Sequence, residues 1–121
     1  MSGDWLPKGS LLGELELLEI YDWYDGPTMF SVKNDRDVLF FVFWADSSEN
    51  IDAWLYAPIS PERLRGLESC VIDVRSALEN PEGGIVYRLV TDGTRVVSYS
   101  CLEASEISKE LPPPEEKLIY H

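Results

Sequence analysis

Residues 38–44 read Val-Leu-Phe-Phe-Val-Phe-Trp, apolar at every position. A strand with one wet face alternates apolar and polar residues, whereas an unbroken apolar run of this length fits a strand covered on both faces. Its β-branched and aromatic residues suit a pleated surface, and polar turns bracket it at Asn34-Asp35-Arg36-Asp37 and Asp46 to Asn50. The run is therefore expected at the centre of a sheet. Upstream, Met29 to Lys33 reads as a short strand with Phe30 and Val32 on one face. Further upstream, Glu14 to Tyr24 alternates through Leu15 and Leu17 and then changes phase at Leu18, as a strand with a bulge would. Asp25-Gly26-Pro27 follows as a turn. Downstream, Ile51 to Ala57 sets Ala53, Leu55 and Ala57 on one face and Asp52, Trp54 and Tyr56 on the other. Short connections make these four strands an antiparallel meander.

Ser60-Pro61-Glu62 has the chemistry of a helix start: a hydroxyl to cap, a proline where no N–H is needed, and an acid in the first turn. That helix should end near Ser69 and turn Leu64 and Leu67 toward the sheet. A second short helix is expected over Asp73 to Glu79, capped by Asp73 and stopped by Asn80-Pro81. Ile85 to Val90 and Arg95 to Leu102 flank Thr91-Asp92-Gly93-Thr94, and Asp-Gly between β-rich runs signals a hairpin. Glu103 to Glu110 is read as a final helical turn or two. The fold class is thus α+β: an antiparallel sheet of about six strands, meander plus hairpin, with one or two short helices inserted after the fourth strand. Residues 1–111 form one domain, and Pro112 to His121 an extended Pro-rich tail.

The chain has 121 residues, enough to bury roughly 65% of its unfolded surface. With 22 Asp and Glu against 10 Lys and Arg, its net charge is −12. Phosphate backbones and anionic membrane surfaces need a basic footprint, so neither is an expected ligand. A basic patch on another protein is favoured, because the opposed fields steer encounter. Full mimicry of duplex DNA fails on arithmetic: a domain roughly 35 Å across would face about 20 phosphate charges. Mimicry could therefore be only a local patch. The N-terminal ten residues lack a basic start followed by an apolar stretch, and no long apolar window follows. Two cysteines without a spacing motif fit a reducing compartment, so a cytoplasmic location is expected.

Catalytic parts are scarce. The one histidine, His121, is the last residue, and no Gly-x-Ser-x-Gly elbow occurs. Cys70 and Cys101 are read as small core residues. Gly83-Gly84 lacks the Lys and Ser or Thr of a phosphate loop. Asp46, Ser48, Asn50 and Asp52 offer oxygens at alternate positions, yet Ile51 and Ala57 replace the glycine and bidentate glutamate of an EF-hand. No cofactor, metal set or catalytic residue is assigned. Two clusters stand out for partner binding. Glu14, Glu16, Glu19, Asp22 and Asp25 run without a basic residue before Lys33, and Glu14 and Glu16 should lie about 7 Å apart on one side of their strand. Asp52, Trp54 and Tyr56 share a strand face, where the aromatics are the best candidates for exposed anchors.

Tyr24-Asp25-Gly26-Pro27 with Phe30, then Trp54-Leu55-Tyr56-Ala57-Pro58-Ile59-Ser60, then Arg63, Leu64 and Leu67, resemble a family of small bacterial domains of uncharacterised function. The likeness covers Leu11 to about Val90 and rests on turn and core residues. It implies a bacterial, cytoplasmic protein and supplies no reaction.

The expected function is a non-enzymatic acidic module, an accessory subunit or an antitoxin- or immunity-like inhibitor, that docks on a basic surface of a larger protein. Two alternatives are a small enzyme or ligand-binding domain with a carboxylate-lined pocket, and a local nucleic-acid mimic that blocks a nuclease or DNA-binding cleft.

Overall fold

A computed structural model describes residues 13–23, 27–48, 51–69, 71–79, 84–92 and 95–103. Six strands form one antiparallel sheet in strict chain order: β1 (Leu15–Trp23), β2 (Pro27–Asn34), β3 (Leu39–Ser48), β4 (Ile51–Pro58), β5 (Ile85–Asp92) and β6 (Arg95–Glu103). Two helices, α1 (Pro61–Glu68) and α2 (Val74–Glu79), intervene between β4 and β5. Glu103 belongs to β6 rather than to a terminal helix. The rest of that expected helical turn, and the Pro112–His121 tail, lie outside the described residues.

The central run behaves as its composition dictates. Phe41 packs in a first core with Leu55, Ala57, Ile59 and the helix residues Leu64, Leu67, Val74, Ala77 and Leu78. Phe40 and Val42 point the other way, into a second core with Phe30, Val32, Tyr56 and Leu89. Both helices lie on the first face. The second core is rimmed by Leu15, Leu17 and Ile20 of β1 and by Val96 of β6, among others. Edge-on ring contacts of Phe40 with Tyr56 and Tyr87, at 6.2 and 6.3 Å between centroids, knit its middle.

Local chemistry places the turns and helices. Asn34 closes the β2–β3 turn with its own side chain, Oδ1 accepting from the N–H of Arg36 and of Val38. Asp37 completes that turn at φ 62°, a left-handed conformation that aspartate tolerates better than most residues. Ser60 Oγ accepts the Arg63 N–H at 3.2 Å and Pro61 opens α1. Asp73 Oδ1 accepts the Ser76 N–H at 2.7 Å at the start of α2. The Arg63 guanidinium donates to the Ser76 carbonyl at 3.2 Å, tying the two helices together.

A bulge in β1 pins α1 to the sheet. The register passes from Ile20↔Phe30 to Asp22↔Met29, leaving Tyr21 as the extra residue. Its ring enters the first core, and its hydroxyl lies 2.8 Å from Ser31 Oγ and 2.6 Å from Glu68 Oε2. One proton cannot serve both contacts. The carboxylate is the stronger and nearer acceptor, so Tyr21 donates to Glu68 and accepts from Ser31.

Candidate functional site

The acidic strand β1 owes its geometry to an earlier bulge. Leu17 pairs with Val32 and Glu19 with Ser31, so Leu18 is the extra residue and stands 42% exposed. Glu16 pairs with Lys33. Lys33 and Ser31 are alternate residues of β2 and share a face, so Glu16 and Glu19 share it too. Without the bulge their odd spacing would send them to opposite faces. That face bears the helices, since Ser31 pairs onward with Phe41 of the first core. Glu14, Glu16 and Glu19 are all exposed. None of the three joins an ion pair among the described residues, and Lys33 is instead 3.8 Å from Asp37. Asp22 stands opposite Met29 in register, although its side chain is outside the described set; Asp25 lies outside the described residues altogether.

The second cluster departs from expectation. Asp52, Trp54 and Tyr56 do share a face, but Tyr56 is 1% exposed and cannot anchor a partner. Alternation shows which residues lie together; it does not show that their face is wet, and here that face is the second core. Burial raises the Tyr56 hydroxyl pKa far above the ordinary tyrosine value. Trp54 is half-buried, meets Phe30 edge-on at 5.7 Å and donates its indole N–H to Thr91 Oγ1 at 3.0 Å. It packs against the second core with its polar tip satisfied, and only part of the ring is exposed.

The aromatic that does face an opening is Trp44, directly across from Trp54. Its indole N–H donates to Asp52 Oδ1 at 3.0 Å, which fixes the ring and uses one of the carboxylate oxygens. Just beyond, Ala45 is the extra residue of a bulge between the Trp44↔Trp54 and Asp46↔Ala53 pairs, and it packs against the first core. Asp46 is exposed and its Oδ1 accepts the Ser47 N–H at 2.8 Å. An open depression of about 350 Å³ lies here, lined among the described residues by Trp44, Ala45, Asp46 and Ser47. Its described lining holds one carboxylate, where the pocket alternative called for two or more.

The chain belongs to a family of unknown function, DUF6575, whose model matches residues 3–119. No curated protein matches it, and no solved structure does. Membership of DUF6575 brings no reaction or ligand. Among the described residues of this DUF6575 chain, no group of three or more His, Cys, Asp or Glu is placed to hold a metal ion. The carboxylates of Asp46 and Asp52, which alternate in sequence with other oxygen donors, are each engaged by a local N–H. No helix among the described residues is long and apolar enough to cross a membrane.

Cys101 corrects a further expectation. It is exposed, not a small core residue, because β6 is the outermost strand and Cys101 sits opposite Tyr87 on it. Cys70 is outside the described residues. The same strand exposes Tyr99 at 58% and Val97 at 43%.

Proposed function

We propose that this chain is a non-enzymatic acidic protein-binding module, a bacterial, cytoplasmic accessory subunit or antitoxin- or immunity-like inhibitor that docks on a basic surface of a larger protein. The observation that carries the reading is the Leu18 bulge. It gathers Glu16 and Glu19 on one face of an edge strand, with Glu14 exposed just ahead of them and no ion pair to any of the three among the described residues. Holding like charges together costs the folded state a little self-repulsion, which a cationic partner surface would relieve. The opposite face of β1 packs Leu15, Leu17 and Ile20 against the second core, so any charge on this edge strand, whether to deter aggregation or to meet a partner, has to stand on the face that carries Glu16 and Glu19.

The test is capture from the native host at low and at high ionic strength. The expected result is a stable partner at low salt whose association slows as salt rises. Changing Glu14, Glu16 and Glu19 together to Gln should slow association about tenfold while leaving the melting temperature nearly unchanged. Capture that ignores salt, or no partner under either condition, would overturn the proposal.

A further inference from the structure

Among the described residues, the β3–β4 hairpin outruns β2 on one side. The described pairing of β2 with β3 ends at Met29↔Phe43, and Pro27 pairs back to Trp23 instead. Proline has no N–H to offer a ladder. Past Phe43, β3 is therefore paired only with β4 among the described residues, and the open depression beside Trp44 lies along that stretch. Trp44 and Asp46 belong nominally to opposite faces, yet both line it. The Asp46 carboxylate stays close to its strand, Oδ1 accepting the Ser47 N–H at 2.8 Å.

The charge of the β3–β4 segment is one-sided. From Asp37 to Glu62 the chain contains no Lys, Arg or His, while Asp46, Glu49 and Asp52 fall on or between β3 and β4. β2 adds no base beside this segment, because its one base, Lys33, lies 3.8 Å from Asp37 at the far end of that strand; on the other side, across β4, Arg88 stands in register with Leu55. A half-buried indole with its N–H already committed offers a ligand its face, and the face of an indole is electron-rich. The adjoining carboxylate keeps an oxygen that no described N–H uses.

We infer that the depression beside Trp44 receives a cationic side chain, an arginine guanidinium or lysine ammonium from an extended segment of a protein partner, which stacks on the indole and pairs with Asp46. The inference rests on reading the chain as a binder of basic protein, and adds a second contact, displaced along the sheet from Glu14, Glu16 and Glu19, that selects an individual side chain where those acids supply only field. An arginine suits it best, because a planar fork can lie on the ring and still reach the carboxylate.

The probe is acetyl-Gly-Arg-Gly-Arg-Gly-amide, titrated into the full chain while the indole N–H resonances are followed by NMR. The same peptide with citrulline for arginine is the neutral control. The expected result is saturable movement of the Trp44 Nε1–H signal with the arginine peptide and none with citrulline. Asp46→Asn, an exposed change that keeps the acceptor for Ser47, should raise the dissociation constant about threefold to fivefold. A stationary Trp44 signal, equal binding of the citrulline peptide, or an unchanged constant in Asp46→Asn would overturn the inference. The Glu14, Glu16 and Glu19 triple change to Gln should leave the peptide constant within about twofold. Partner capture through β1 with an unmoved Trp44 signal would sink the depression alone, and a moving Trp44 signal without salt-sensitive capture would sink the docking module alone.

Discussion

Tyr21→Phe removes a single oxygen from the junction of β1, β2 and α1, and its cost can be worked from the geometry. The hydroxyl donates to a carboxylate at 2.6 Å, a charge-assisted bond worth about 1.5–3 kcal/mol net. Glu68 is half-buried, so water recovers part of that loss. Ser31 is 0% exposed and lies 2.8 Å from the same oxygen, and its hydroxyl would be stranded at a further ~1–3 kcal/mol. The ring itself stays, with its 6.2 Å contact to Phe41. The expected total is about 2–4 kcal/mol, which for a domain of this size lowers the melting temperature by roughly 8–16 °C. Urea unfolding followed by tryptophan fluorescence reads it directly. A double-mutant cycle with Glu68→Gln should return a coupling of about 1 kcal/mol or more, since Phe cannot profit from the charged acceptor. A loss under about 0.5 kcal/mol, or no coupling, would refute the claim that this hydroxyl fastens α1 to the sheet.

Tyr56 makes stability fall in alkali. Its folded-state pKa is raised by burial, so above pH about 10 the unfolded chain releases a proton that the folded chain keeps. Stability should drop by about 1.4 kcal/mol per pH unit from this group, and Tyr56→Phe should remove that slope in urea titrations at successive pH values. Trp54→Phe should cost about 2 kcal/mol by leaving Thr91, 2% exposed, without its donor; adding Thr91→Val should recover part of it in the same assay. Asp37→Gly should stabilise by about 0.5–1 kcal/mol, because φ 62° suits glycine and the exposed Lys33 pair it sacrifices is weak; no rise in the urea midpoint would refute this.

How far the sequence could be read depended on the kind of signal. An all-apolar run implies cover on both faces, and Phe41 against Phe40 and Val42 shows it. The phase change at Leu18 pointed to the bulge, since one extra residue is the simplest way to reverse a period of two. Ser60 and Asp73 cap their helices because hydroxyl and carboxylate oxygens reach free N–H groups locally. What failed was anything set by distant parts of the chain. Because aromatic residues suit a core and an interface alike, Tyr56 reads from sequence as an exposed anchor, yet it is buried. Cys101 looked buried because a strand's place at the margin of a sheet is not written in its own residues. The Trp44 depression lies beyond Met29↔Phe43, where the described pairing of β2 with β3 ends, and Pro27 is the residue there whose missing N–H is legible in the sequence.

Because every strand is hydrogen-bonded to its chain neighbour, most of the sheet can assemble by successive zippering of adjacent segments. The exception is the β4–β5 pairing, which must close across both helices. That step carries the largest loop-closure entropy in the described fold, so it is the natural kinetic bottleneck. A chain emerging from the ribosome could complete β1 to β4 first. Until α1 and α2 arrive, the hydrophobic faces of Phe41, Leu55 and Ala57 would stand open to misassociation.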